Sequence, residues 1–329
     1  MLVVHVLGLL LAGSLSLRSA ERSRSALTEF MVQQGYEVIP LEYRKPNRLC
    51  VHARLRAHTL QGVIDTGATD TWLDRDHARK LKSLGEITGN LHSLFGQTHA
   101  KVERVAFDQI ELGGLLFTNG TAKVLDLPLT RETHTGSWVS VPTAPAMPGL
   151  LLGMDFLTRY HALLNCRAPC AYIRRASPSK DTDAVEKALC AGGMAVVHLQ
   201  REGCLLVSVQ VNEHAALFMV DTGCEFTVVD WNQLAELDLN ERQTVGEATD
   251  IARHKQQLQF TDVRSLRLGN CELKNLRVGV VSLKDTNSAR ALNGLSPIQG
   301  LLGPEVFYQV CAIIDCEHAK LFVSAIPRP

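Results

Sequence analysis

Val63-Ile64-Asp65-Thr66-Gly67-Ala68-Thr69 and Met219-Val220-Asp221-Thr222-Gly223 each end an apolar run in Asp-Thr-Gly, with the two aspartates 156 residues apart. Outward from these stretches, the same blocks recur in the same order in both halves of the 329-residue chain. Val51 to Asp65 matches Val207 to Asp221 in its alternation of apolar residues, with His58 and His214 at the same place. Upstream, Ala26-Leu27 through Gly35 to Leu41 has its counterpart in Ala184-Val185 through Gly193 to Leu199. Downstream, Gly149-Leu150-Leu151-Leu152-Gly153 parallels Gly300-Leu301-Leu302-Gly303, and Ala162-Leu163-Leu164-Asn165-Cys166 parallels Ala312-Ile313-Ile314-Asp315-Cys316. Ordered recurrence of this kind marks an internal duplication. Alternating apolar residues make each copy mainly strand. Short helices are expected at Asp76–Leu84, stopped by Gly85, and at Trp231–Leu237. Two more are expected after the Leu-Leu-Gly blocks, at Met154–Tyr160 and at Pro304–Val310, the latter opening on a proline suited to a first helical position.

A lone Asp-Thr-Gly is an ordinary turn, because Asp and Gly both favour turns. Two at matched places, each after a strand and each followed by an apolar-apolar-Gly segment, carry a context that a surface turn does not need. Glycine permits the tight turn, the threonine hydroxyl bonds across to the partner turn, and the carboxyl groups of Asp65 and Asp221 are brought together. Carboxylates about 3 Å apart do not both ionise at modest cost, so they share a proton and titrate as a pair. Such a pair takes a proton from a water as it attacks a carbonyl carbon, while the protonated partner bonds the carbonyl oxygen. That chemistry calls for no metal and no cofactor.

Length argues for two domains, and 46% hydrophobic with 21% charged residues is the composition of a globular protein. Lys plus Arg and Asp plus Glu are both 34, so there is no net field to hold a polyanion, and nucleic acid is not expected as a partner. The apolar run Leu2 to Ala12 is shorter than the ~20 residues of a membrane span. It reads as the core of a signal peptide over 1–20, which predicts a secreted or periplasmic protein with no stable span in its mature form. An uncleaved N-terminal membrane anchor is the alternative. Nine cysteines without C-x-x-C, and twelve histidines without H-E-x-x-H, supply no metal-ligand set. The polar stretch Ser177-Pro178-Ser179-Lys180-Asp181 marks a linker over 175–183, between lobes at 26–174 and 184–329.

Both halves resemble retroviral-type (retropepsin-like) aspartic protease domains, and their union in one chain resembles the two-lobed plan of pepsin-like enzymes. The resemblance rests on the Asp-Thr-Gly and Leu-Leu-Gly blocks quoted above, on Met154-Asp155-Phe156-Leu157, and on Ala312-Ile313-Ile314-Asp315. It implies a mainly-β fold of two acid-protease β-barrel lobes about a pseudo-twofold axis. It also implies an aspartic endopeptidase, monomeric as a pseudo-dimer, acting on a peptide or protein substrate. Asp65 and Asp221 are then the catalytic pair, Thr66 and Thr222 interlock behind them, and Gly67 and Gly223 give backbone N–H groups to the dyad. Substrate-binding hairpin tips are placed at Leu94-Phe95-Gly96-Gln97 and Thr244-Val245-Gly246-Glu247, because glycine allows a tight hairpin. Neither carries the tyrosine that pepsin-like enzymes have on their flap.

Cys224 and Glu225 stand where Ala, Ser or Thr is more usual in the family. Glu225 either borders the substrate groove, disfavouring acidic ligands, or pairs on the rim; Cys224 is either a redox-sensitive thiol or inert filler. Asn165, at the place of Asp315, reads as a difference in a surface turn. Asn119-Gly120-Thr121 is a glycosylation acceptor in a eukaryotic secretory route, and Thr133 to Pro148 reads as a long surface loop. Two other functional readings stand beside the protease: tandem domains that form dyads only by dimerisation, and a peptide-binding protein that keeps the fold without cleaving.

Overall fold

The computed structural model describes residues 26–44, 47–127, 148–175, 183–240 and 244–324. The segment 1–20 expected to be a signal peptide, residues 176–182 of the expected linker and the expected loop up to residue 147 lie outside them.

In the first half, helix α1 (26–33) leads into strands β1 (Glu37–Pro40), β2 (Glu42–Arg44), β3 (Arg48–Leu55), β4 (His58–Ile64) and β5 (Trp72–Asp74). Helix α2 (Arg75–Ala78) precedes β6 (Lys82–Ser93), β7 (Gly96–Leu112) and β8 (Leu115–Leu125). After β9 (Pro148–Leu152) come helix α3 (Met154–Arg159), β10 (Leu163–Asn165) and β11 (Cys170–Ile173). The second half opens with helix α4 (Asp183–Ala191), then β12 (Ala195–His198), β13 (Gln200–Arg201), β14 (Leu205–Val211), β15 (His214–Val220) and β16 (Val228–Asp230). It continues with β17 (Thr244–Thr249), β18 (Lys255–Leu268), β19 (Cys271–Val281), helix α5 (Lys284–Leu292) and β20 (Gly300–Leu302). Helix α6 (Pro304–Gln309), β21 (Ile313–Asp315) and β22 (Lys320–Val323) complete it.

Each half forms an eight-stranded sheet, and the two orders correspond: β2-β3-β4-β9-β5-β8-β7-β6 and β13-β14-β15-β20-β16-β19-β18-β17. Each sheet curls back on itself, because β3 also pairs with β7 and β14 with β18. A third sheet, β1-β11-β10-β21-β22-β12, draws three strands from each half. Its seam is the antiparallel pair β10–β21, in which Leu164 faces Ile314. Cys166 N–H and Cys316 N–H extend the seam by donating to Ala312 O and Ala162 O, both at 2.9 Å. Helices α1 and α4 lie over this sheet and bury Met31, Leu163, Val185, Leu189, Ile313 and Phe322. The largest apolar cluster runs through both halves, from Ile39 to Val323, so the lobes share one core. The mainly-β, two-lobed reading is thus the observed fold. No helix among the described residues is long and apolar enough to cross a membrane.

The helices after the Leu-Leu-Gly blocks form at the expected places, and Pro304 opens α6. The helix expected at Asp76–Leu84 does not: α2 ends at Ala78 and Lys82 already pairs with Ala106 on β7. Sheet pairing with a long neighbour outweighs the local helical pattern. Gly85, with φ +94°, stands at a register shift in β6 rather than at a helix stop. Trp231–Leu237 is reduced to a 3-10 turn at Trp231–Gln233. Asn165 and Asp315 hold equivalent turns, each side-chain oxygen accepting from the N–H groups two and three residues on. An acceptor oxygen is all that turn requires, so Asn and Asp serve alike.

Candidate active site

Strand β9 lies between β4 and β5, parallel to the first and antiparallel to the second. The chain leaving β4 at Asp65 therefore crosses the end of β9 before returning as β5, and Asp65 N–H donates to Leu152 O at 3.0 Å. The second half repeats this with β20 between β15 and β16, and Asp221 N–H donates to Leu302 O at 3.0 Å. The two blocks that recur together in sequence are thus adjacent strands. A Cβ at Gly153 would overlap the backbone of Asp70, and one at Gly303 would lie 2.6 Å from Thr227 N, so the crossing chain fits only over glycine. Behind the crossing, Thr71 Oγ1 donates to Asp155 Oδ1 at 2.7 Å and Thr227 N–H to Glu305 Oε1 at 2.7 Å.

The two Asp-Thr-Gly turns meet where the lobes join. Thr66 N–H donates to Thr222 Oγ1 and Thr222 N–H to Thr66 Oγ1, each at 3.1 Å. The hydroxyls in turn donate to Val220 O and Ile64 O, each at 2.7 Å. Both threonines are fully buried, so these bonds close without water. Gly67 N–H and Ala68 N–H donate to Asp65 Oδ1 at 2.9 and 3.1 Å. Gly223 N–H and Cys224 N–H do the same for Asp221 Oδ1, at 2.8 and 3.1 Å. Each glycine also packs against the opposite aspartate: a Cβ on Gly67 would sit 2.7 Å from Asp221 Cγ, and one on Gly223 would overlap the Asp65 carboxyl.

The carboxyl groups of Asp65 and Asp221 thus lie on facing turns, each against the opposite glycine, close enough for the charge of one to act on the other. Burial raises the pKa of both. Asp221 is pushed further up by the charge on Asp65, whereas four N–H donors and the Arg48 guanidinium oppose the rise across the pair. Carboxyl groups coupled in this way titrate as a pair.

Glu225 is paired: Arg48 donates from Nη2 to Glu225 Oε1 at 3.1 Å and from Nε to Gly223 O at 3.2 Å, bridging the lobes. Cys224 points its thiol at Asp221 O, and burial first, then the neighbouring carboxylates, push its pKa well up, which leaves the inert reading. Phe95 and Gly96 stand at the β6–β7 hairpin tip, as expected. Gly246 does not stand at a tip. It lies within β17 at a register shift, and the β17–β18 tip is Asp250–His254. Glycine was the misleading cue there, since this tip turns at Arg253, φ +68°. The 156-residue offset of the aspartates, applied to Phe95, gives Ile251 and the correct tip. Arg48, Asp250 and His254 carry no motif, and only the duplication offset hints at the latter two.

Two like lobes that interlock paired Asp-Thr-Gly turns at their seam form the bilobal acid-protease arrangement. A family model described as aspartyl protease matches residues 51–156 and 207–306, and the chain belongs to that family as a duplicated, retropepsin-like member. Among solved structures, a retropepsin-like aspartic protease from Rickettsia conorii is similar at 19% identity, with a TM-score of 0.30 over 40% of this chain and 91% of that one. No curated protein matches the chain.

Proposed function

We propose that this protein is an aspartic endopeptidase that hydrolyses peptide bonds with a water activated by Asp65 and Asp221. The observation that carries the reading is the juxtaposition of these two buried carboxyl groups, each held by two backbone N–H groups of its own turn. In the singly protonated pair, Asp65 accepts a proton from water as its oxygen bonds to the peptide carbonyl carbon, and Asp221 gives its proton to the carbonyl oxygen. The tetrahedral species collapses with cleavage of C–N, the amine nitrogen takes the proton from Asp65, and Asp221 regains its own from the hydroxyl. The substrate lies extended between the lobes, held by strand-like hydrogen bonds, with side-chain pockets setting preference.

Pairing of Thr66 with Thr222 inside one chain supports a monomer over tandem domains that need a second copy. Against a binding protein without turnover, two like carboxyl groups held together are a cost that peptide binding does not require. Export, with residues 1–20 as the signal, belongs to the same reading. Digestion of an unbiased peptide library tests it. Wild type is expected to cleave, and Asp65→Asn and Asp221→Asn each to lose cleavage while keeping the wild-type circular dichroism spectrum. Full cleavage by either variant would falsify the shared-dyad mechanism, and binding without turnover by wild type would favour the binding protein.

A further inference from the structure

The two long hairpins are mates in the duplication, and each tip crosses to the other lobe. Phe95, 8% exposed, belongs to one apolar cluster with Cys204, Leu206, Val228 and Leu301 of the second half, against which Met219, two residues before Asp221, also packs. Ile251, at the matching offset of 156, packs against the cluster of Trp72, Leu127 and Leu151 of the first half, as does Ala68, three residues after Asp65. Both tips therefore sit in apolar clusters of the opposite half, and each cluster reaches residues close in sequence to an aspartate.

The polar contacts of the two tips are not alike. Asp250 Oδ2, on a side chain 2% exposed, accepts from Phe95 N–H at 2.9 Å. The ring of His254 lies against Gly96, where a Cβ would come within 3.0 Å of Nδ1. His254 Nδ1 is 3.2 Å from Asp250 Oδ2 and 3.0 Å from Ser93 Oγ, and Nε2 is 2.9 Å from Thr98 Oγ1. Thr286 Oγ1 on α5 donates to Leu94 O at 2.6 Å. At the offset of 156, Asp250 and His254 correspond to Leu94 and Thr98, so the first hairpin has neither an acid nor an imidazole at the matching positions. Duplication freed one copy to hold the tip of the other.

We propose that Asp250 and His254 form a latch that shuts the Phe95 hairpin on the opposite lobe, and that release of this latch gates entry of peptide to the aspartate pair. As a gate it rests on the protease reading above; as a contact it can be tested without substrate. The Phe95 N–H is a group that an extended peptide would engage by strand-like pairing, and the Asp250 carboxyl group occupies it.

Hydrogen exchange on the full chain reads the latch at the Phe95 amide. Loss of a charged acceptor in Asp250→Ala should speed that exchange by about ten-fold or more, and His254→Ala should speed it in the same direction. Glu247→Gln, which removes only the exposed pair with Lys255 in the same hairpin, should leave it unchanged. Association and dissociation of a statine-type peptide inhibitor should both become faster in the two latch variants, a kinetic signature that general loosening of the bound complex, which speeds release alone, does not give. Unchanged exchange at Phe95 in Asp250→Ala, or an equal rise at Val102 and Val105 in the body of the hairpin, would overturn the proposal. If the alanine variant does not fold, Asp250→Asn keeps the shape without the charge and is read in the same way. An inhibitor that does not bind wild type counts against the protease reading, while exchange at Phe95 still decides the latch.

Discussion

Thr66 and Thr222 close the seam with four hydrogen bonds at positions that water does not reach. Thr66→Val keeps the branched shape but leaves Val220 O and Thr222 N–H buried without partners, at about 1 to 3 kcal/mol each. Urea unfolding should show a loss of about 2 to 4 kcal/mol for Thr66→Val and much less for Thr66→Ser, which retains the hydroxyl. The aspartates make the complementary case, where proximity opposes stability at high pH. The folded pKa of Asp221 stands above its ordinary 3.8, raised by burial and then by Asp65, so the folded chain retains a proton that the unfolded chain releases. Stability from this group is therefore full below the unfolded value and is lost as pH rises through the folded one. Asp221→Asn removes that dependence. Its stability should gain on wild type steadily from about pH 4 toward about pH 8, the folded value of Asp221, as urea midpoints at several pH values would report. Cleavage should fall as pH rises through about 8, as the shared proton leaves.

At the scale of elements, the crossing of chain over β9 and β20 places the aspartates, and glycine makes it possible. Gly153→Ala would push against the backbone of Asp70, which a rotamer change cannot relieve, so a loss of about 1 to 3 kcal/mol or more is expected in thermal or urea unfolding. The sequence marked both partners of this crossing, because the Asp-Thr-Gly and Leu-Leu-Gly blocks recur together, but not that they lie side by side as paired strands. The hairpins were legible only in part. Gly96 marked the first tip, whereas the second turns without glycine, at Asp250–His254, and its residues answer to side chains of the other lobe. Helix α2 was over-read because residues 79–84 satisfy a helical pattern locally, while β7 offers them a longer set of backbone partners. Helices α1 and α4 went unread, since their reason to form is the sheet they cover.

Across the whole molecule, the halves are joined by the seam of the six-stranded sheet, by the threonine interlock and by Arg48, which links β3 to the turn after Asp221. Each half holds one aspartate, so 26–174 or 184–329 expressed alone should cleave nothing, and mixing them should restore measurable peptide cleavage. Cleavage by an isolated half would instead favour dyads built by dimerisation. Arg48→Ala should cost little stability, about 1 kcal/mol or less, because Glu225 is 41% exposed and its pairing is screened. By itself the sequence determined the duplication, the strand-rich lobes, the two acidic turns and the glycines beneath them, because each of these follows from local backbone geometry repeated at a constant spacing. Only the tertiary structure decided which other groups meet across the lobes: Arg48 with Glu225, and Asp250 with the Phe95 amide. Those contacts depend on how two halves pack, and chain-local preferences carry no record of that packing.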